Sequence, residues 1–329
     1  MGEREVLLVK WAIVGFGNIA RNKFLPALDK VPGAELKAIV TAHPDRVQTI
    51  GRNREVQIFT NVTELEDVDV VYIATPNGLH EDQAVQCAQK GINVFCEKPA
   101  ALDLSGTQRM IDTCRKYDVT FGIAHMGRFN SYNVGAKDVL KSRILGDLGI
   151  VKASFSFVNT QRNAWRYDPR MSGGGAIMDI GIHLINSLHF FREKKIKEVV
   201  AINENLVYDV EQHATAIFRF EDDVLALVDC SYNSYESVSF EFRGTDGILY
   251  VLDTLFQNSG GKVIIKTKGK TSFLEFPEKD PYVLEIKDME RAVSSHTQPL
   301  TGEYEAIEDM KVVEAWYRSA KSSLPIFIE

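Results

Sequence analysis

Two rhythms of apolar and polar residues divide this 329-residue chain. Up to about residue 125, short apolar runs, VKWAIVGF, ELKAIVT, VDVVYIAT, INVFCE and VTFGIAH, alternate with segments of helical spacing, such as Leu25, Leu28 and Val31 or Ala84, Val85, Cys87 and Ala88. Runs apolar on both faces belong to strands buried on both sides, and strands alternating with helices form parallel βαβ units. The punctuation agrees: Pro44 suits a first helical turn, Asn77 is placed to cap a helix over 78–90, and Gly91 stands where a C′ glycine belongs.

After about residue 145 the period drops to two. IVKASFSFVN, HATAIFRFED, VLALVDCSYN and VSFEFRGTDGILYVLD alternate apolar with polar residues across short connections, which predicts an antiparallel sheet. One helix, in SGGGAIMDIGIHLINSLHFF, is inserted among these strands, and two more are predicted near 281–294 and 303–321. The change of period sets a domain boundary, with residues 1–126 as the first domain and 127–329 as the second.

Composition narrows the function. With 45% hydrophobic and 25% charged residues the chain is globular and long enough for two cores. Lys plus Arg number 38 against 45 Asp plus Glu, a net charge of −7 without a block of like charge, which argues against nucleic acid or an anionic membrane as partner. Cys87, Cys96, Cys114 and Cys230 form neither a CxxC nor a zinc spacing and read as reduced structural thiols. The N-terminal stretch reads as running into a strand rather than as an export signal, and no later run has transmembrane length, so the expected location is cytoplasmic.

VGFGNIA places a GxGxxA turn, Gly15, Phe16, Gly17, Asn18, Ile19 and Ala20, after the first strand and at the start of a helix. Such a turn lets backbone approach a pyrophosphate, whose charge meets amide groups and the helix dipole. It predicts a Rossmann-type, NAD- or NADP-binding first domain. At the tip of the second strand stand Thr41, Ala42 and His43 instead of the Asp or Glu that holds an NAD ribose. Without that acid nothing repels a 2′-phosphate, and Arg46 follows Thr41 by five residues. Either Arg46 reads that phosphate or it is a solvated helix residue.

Ligands of open α/β sheets lie beyond the carboxyl ends of the strands. ATPNGLH brings Thr75, Asn77 and His80 to that edge, and CEKP brings Glu97 and Lys98, with Pro99 ending the strand and fixing the backbone direction. Position alone leaves Lys98 open between a group aimed at the nicotinamide and half of a surface ion pair. In the second domain, NAWRYDPRMSGGGAIMDIGIHLIN sets Asp179 and His183 four residues apart on one predicted helix face. They form a proton-transfer pair or, blandly, a helix cap and a core histidine. Gly173, Gly174 and Gly175 are a plain loop or a place where backbone approaches a ligand. No HxH or HExxH accompanies the pair, so no metal is expected.

In order and spacing, GFGNIA, TPNGLH, EKPAA and WRYDPRMSGGGAIMDIGIHLIN resemble the Gfo/Idh/MocA oxidoreductases. FRF, FRGTDGILYV and GEYEAIEDMKVVEAWYRSA are similar to the glucose-fructose oxidoreductase branch. The likeness covers nearly the whole chain. It implies an α/β protein: a Rossmann domain followed by an α+β domain whose large, mostly antiparallel open sheet serves homodimer or homotetramer contacts.

It further implies that Lys98, Asp179 and His183 are catalytic, that Glu97 orients the lysine, and that the Lys98–Pro99 bond is cis. Arg128, Trp165 and Arg166 are read as lining the ligand cleft, Arg128 toward substrate and Trp165 and Arg166 toward the dinucleotide, with a structural ion pair as the alternative for either arginine. The Thr41–Arg46 arrangement is similar to that of NADP-dependent anhydrofructose reductases, so NADP(H) is expected to be preferred, with NAD(H) possible.

The implied activity is hydride transfer at a sugar or polyol hydroxyl or carbonyl carbon. A dinucleotide-binding regulator without turnover and a nucleotide-sugar dehydrogenase are the competing readings. Two departures, His183 where that branch commonly has tyrosine and the missing export signal, argue against glucose-fructose oxidoreductase itself.

Overall fold

The five strands expected from the apolar runs and one more, β3, form a parallel sheet: β1 (Val9–Val14), β2 (Ala34–Val40), β3 (Gln57–Phe59), β4 (Val70–Ile73), β5 (Asn93–Glu97) and β6 (Phe121–Ala124). Its order is β3-β2-β1-β4-β5-β6, so the direction of winding reverses between β1 and β4. In an α/β sheet that reversal opens a crevice at the carboxyl edge. The structure, a computed structural model, describes residues 8–160 and 165–329. The stretch 1–7, read above as part of the approach to β1, and Asn163 and Ala164 of the quoted glycine-rich motif lie outside the described residues.

One face of the sheet is held by aromatic rings. Trp11 meets Phe24 edge-on at 5.5 Å, Phe24 stacks on Tyr72 at 3.6 Å, and Tyr72 lies 5.8 Å from Phe95. Rings in such arrangements add to the area term of burial. β3 escaped the pattern reading because three residues at a sheet edge make no apolar run. The helix expected to be capped by Asn77 is instead entered through a 3-10 turn, Asn77–Leu79, and runs His80–Gln89 with Leu79 at its N-cap. Gly91 takes φ 75° just beyond it, as expected.

The chain divides into Met1–Ala124 with Tyr282–Ala306, and His125–Pro281 with Ile307–Glu329. A division at 126/127 leaves out the return of residues 282–306 to the first unit. That return has a packing cause. Helix Pro281–Ser295 buries Tyr282, Ile286, Met289 and Ala292 at helical spacing, and Trp11 Nε1 donates to Glu290 Oε1 at 3.0 Å. At Gly122 of β6 a Cβ would stand 2.9 Å from Met289 Sδ, so the glycine lets this helix lie close.

The second unit is built on nine strands: β7 (Leu148–Val158), β8 (Ile196–Glu204), β9 (His213–Phe220), β10 (Leu225–Ser231), β11 (Asn233–Gly244), β12 (Gly247–Leu252), β13 (Lys262–Thr267), β14 (Lys270–Leu274) and β15 (Ile326–Phe327). Their order is β14-β13-β12-β11-β7-β10-β9-β8-β15. All neighbours pair antiparallel except β7 with β10, which is parallel. The period-two pattern explains the two faces. Ala216, Phe218, Val228, Ala153, Phe240 and Phe242 are buried; Phe240 and Phe242 each lie 5.2 Å from Phe191 of helix Ile182–Arg192, and Phe218 lies 5.2 Å from Trp316 of helix Glu303–Ser322. On the opposite face Val200, Ile217 and Leu227 stand in register across β8, β9 and β10 and are exposed.

All four cysteines are free and buried. Burial pushes Cys87 and Cys114 up to about 12 and Cys96 and Cys230 well above the ordinary thiol value. They are packed, unreactive side chains.

Candidate active site

The glycine turn after β1 does two separate jobs. Gly15 has φ 86°, and a Cβ there would stand 2.6 Å from Thr75 Cγ2 and 2.8 Å from the Ala74 carbonyl, so only glycine fits beneath the end of β4. Gly17 has nothing within 4 Å of where its Cβ would be, which leaves bare backbone facing open space. That is the surface a pyrophosphate needs, and the following residues enter a π-turn, Ala20–Phe24, before the short helix Leu25–Leu28. Asn18 is exposed and Ile19 half-buried. Phe16 turns a buried ring against Arg21, whose guanidinium carbon lies 5.6 Å from its centre, so its backbone is the part left for a ligand.

At the tip of β2, Thr41 Oγ1 accepts the His43 amide at 3.1 Å. His43 and Arg46 are exposed, and Asp45 and Arg46 stand in the 3-10 turn Pro44–Arg46 rather than in a helix. Beyond β4, Thr75 Oγ1 donates to Gln83 Oε1 at 2.6 Å, and Asn77 is buried.

His80 departs from the sequence reading. Its side chain has no exposed surface, with Nδ1 3.0 Å from Pro99 O and Nε2 2.9 Å from Thr75 O. Burial pulls its pKa below the ordinary imidazole value, against the raising effect of those carbonyls. Because the helix begins at His80, the ring falls between two stretches of backbone. It braces the turn after Lys98, and its side chain presents no exposed surface to a ligand. Tyr72 Oη donates to Glu97 Oε1 at 2.5 Å, and burial, then the Glu97 charge, hold that phenol well above its usual pKa. Glu97 is thus tied down next to Lys98, whose bond to Pro99 is cis.

In the second unit the glycine run serves packing. Gly173 closes helix Pro169–Ser172 at φ 76°. A Cβ on Gly174 would come 1.9 Å from Tyr317 Oη, and one on Gly175 1.9 Å from Glu211 O. Glu211 Oε1 accepts the amides of Gly175 and Ile177 and the Tyr317 hydroxyl, each at 2.9 Å. Burial raises the Glu211 pKa, opposed by those donors.

Past this anchor Asp179 lies in a π-turn, Ile177–Gly181, and His183 in helix Ile182–Arg192. A π-turn takes one more residue per hydrogen bond than an α-turn. Asp179 Oδ2 accepts from Tyr232 Oη at 2.9 Å and from Arg166 Nε at 3.1 Å. Burial first, then the Asp179 charge, raise the Tyr232 pKa well above its ordinary value. The Arg166 guanidinium carbon lies 4.7 Å from the centre of Trp165, so the arginine links that ring to Asp179. His183 is half-buried, its ring 6.1 Å from Phe155 and 6.2 Å from His125. Arg128 Nε donates to Asn186 Oδ1 at 3.0 Å and its guanidinium lies over Phe190.

Tyr232, Glu211, His125 and Asp309 were missed by sequence reasoning. They are single residues far from the motifs they support, and no spacing marks them. Among the described residues no group of three or more His, Cys, Asp and Glu could hold a metal ion, and no helix is long and apolar enough to cross a membrane.

Residues 9–125 match the family described as "Oxidoreductase family, NAD-binding Rossmann fold", and residues 134–250 match "GFO/IDH/MocA C-terminal domain". The chain is 26% identical to a 1,5-anhydro-D-fructose reductase of Ensifer adhaerens over 89% of this chain and 91% of that protein. It is 25% identical to a D-xylose 1-dehydrogenase (NADP(+)) of Haloferax volcanii over 97% of this chain and 99% of the relative. In fold it resembles the aldose-aldose oxidoreductase of Caulobacter crescentus, solved with glycerol, at TM-score 0.92 and 23% identity over 98% of this chain and all of that one.

Proposed function

The chain belongs to the Gfo/Idh/MocA oxidoreductase family, and from that premise we propose that it is an NADP(H)-dependent dehydrogenase or reductase of a sugar or sugar-like polyol. The observation that carries this reading is the station of Lys98. It is the first residue past β5, at the same carboxyl edge as the bare Gly17 turn after β1. The bound dinucleotide supplies the hydride acceptor or donor. Lys98 donates hydrogen bonds to the substrate oxygen as it gains charge, and His183 takes or returns the hydroxyl proton. Asp179, held by Arg166 and Tyr232 on one oxygen, orients the imidazole.

The sugar class is supported by the names of the relatives, an anhydrofructose reductase and an NADP-dependent xylose dehydrogenase. Preference for NADP(H) is supported by the exposed Arg46 and by the hydroxyl, in place of a carboxylate, at the tip of β2. The exposed apolar row Val200, Ile217 and Leu227 supports self-association through that sheet face, as a dimer or tetramer; a monomer in sedimentation at micromolar concentration counts against it. Four free, buried thiols suit the cytoplasm. The test of function is a screen of aldoses, ketoses, inositols, anhydro-sugars and sugar phosphates with NADP(H) and NAD(H). Turnover of none of them with tight dinucleotide binding would make the protein a dinucleotide-responsive regulator.

A further inference from the structure

Behind His183 lies a buried charge that the proposed chemistry does not use. Asp309 has no exposed surface, yet two hydrogen-bonding side chains and a further imidazole converge on it. Asn186 Nδ2 donates to Oδ2 at 2.7 Å, His189 Nδ1 lies 2.9 Å from Oδ1, and His125 Nε2 lies 3.2 Å from Oδ2 in a bent contact. Burial alone would raise the Asp309 pKa, but the His125 and His189 imidazoles hold it well below the usual carboxylate range. A carboxylate kept ionised in a core is costly unless its lone pairs are met, and here they are.

We propose that Asp309, acting through His125, is a positioning group for His183, setting the placement of its ring and favouring its protonated form. This rests on the reading of His183 as the proton-exchanging residue. His125 is 1% exposed, and a lone pair on Nε2 would face the anion, so the proton sits there and Nδ1 keeps the lone pair. Among the described residues neither ring nitrogen makes a hydrogen bond of full geometry, Nε2 keeping only the 3.2 Å contact with Asp309. The His125 ring stands at 82° to that of His183, with Phe155 also against the His183 ring. Asp179 spends one oxygen on Tyr232 and Arg166, so the Asp309 pair supplies a second anion behind the imidazole.

Charged and titratable groups reach this pair from the elements packed on it. Helix Ile182–Arg192 offers His183 and His189, and helix Glu303–Ser322 offers Asp309. The segment of His125 itself offers Arg128, whose guanidinium is engaged by Asn186 and opposes the effect of Asp309.

Nuclear magnetic resonance of histidine Cε1–H signals in the full chain, titrated with pH, tests the proposal without a substrate. The His183 signal is assigned by its loss in His183→Asn. Asp309→Asn is expected to lower the His183 midpoint by about 0.5–1 pH unit, the scale of one charge at this range in a partly buried site. An unchanged midpoint in folded Asp309→Asn overturns the proposal. If that variant does not fold, His125→Gln, which keeps a donor near Asp309, takes its place. It is expected to lower kcat about tenfold at unchanged KM for NADP+ with the best sugar of the screen; unchanged kcat overturns the proposal. Full turnover in His183→Asn would instead sink the parent reading, while the midpoint shift still reports on Asp309.

Discussion

Replacing Glu211 by alanine removes one oxygen on which the head of the His183 helix depends. Glu211 is 4% exposed, and its Oε1 takes the Gly175 and Ile177 amides and the Tyr317 hydroxyl at 2.9 Å each. Each donor left unmet in a buried place costs about 1–3 kcal/mol. Three would cost about 3–9 kcal/mol, but water entering the vacated space meets some of them and the strained charge is lost with the side chain, leaving about 3–5 kcal/mol.

At about 2–4 °C per kcal/mol for a unit of this size, the melting temperature should fall by about 6–20 °C. Glu211→Gln keeps Oε1 with its three donors and should cost about 1 kcal/mol or less at neutral pH. The pH dependence has a definite sign. Burial raises the folded pKa of Glu211 above its unfolded value, so its contribution is fully present below the unfolded pKa and is lost as pH rises through the folded pKa. Glutamine does not titrate, so the difference between the Glu211→Gln protein and wild type should move in favour of the variant as pH climbs from about 4. Thermal melts at several pH values, with hydrogen exchange at the Gly175 and Ile177 amides, measure both effects. A Glu211→Ala protein melting within about 2 °C of wild type, less than one buried donor should cost, or one no worse than Glu211→Gln, would refute the reasoning.

Other outcomes follow from the site. Lys98→Met should lower kcat by about a hundredfold or more while dinucleotide affinity by fluorescence titration hardly changes; near-normal kcat removes the lysine from the chemistry. His183→Asn should lower kcat by about 10²–10⁴, with Asp179→Asn and Tyr232→Phe doing so less; wild-type pH-rate profiles in all three would make the group structural. Arg46→Ala should raise KM for NADP(H) by about ten- to a hundredfold and leave NAD(H) nearly unchanged; equal loss for both cofactors, or a wild-type preference for NAD(H), means Arg46 does not read the 2′-phosphate.

Much of this protein is legible along the chain because its elements obey local periods. Buried runs between helical segments specify a parallel sheet, alternation specifies the second sheet, and Gly15 must be glycine for the turn under Thr75 that a strand–glycine–helix junction demands. Lys98, Asp179 and His183 stand out for the same reason, since each belongs to a short motif. What surrounds them was not legible. Tyr232 reaches Asp179 from 53 residues away, and Asn186 and His189 reach Asp309 from 123 and 120. The return of residues 282–306 to the first unit likewise rests on Met289 lying over Gly122. A period of two or 3.6 states which face of an element is buried, but not which residue of another element will lie about 3 Å away. The local backbone between Asp179 and His183 is likewise not the plain helix that the spacing predicts: Asp179 lies in a π-turn, Ile177–Gly181, and Glu211, from elsewhere in the chain, accepts the Gly175 and Ile177 amides at its head. Hydrogen-bond partners are chosen by the packing of distant elements, and only the folded chain makes that choice.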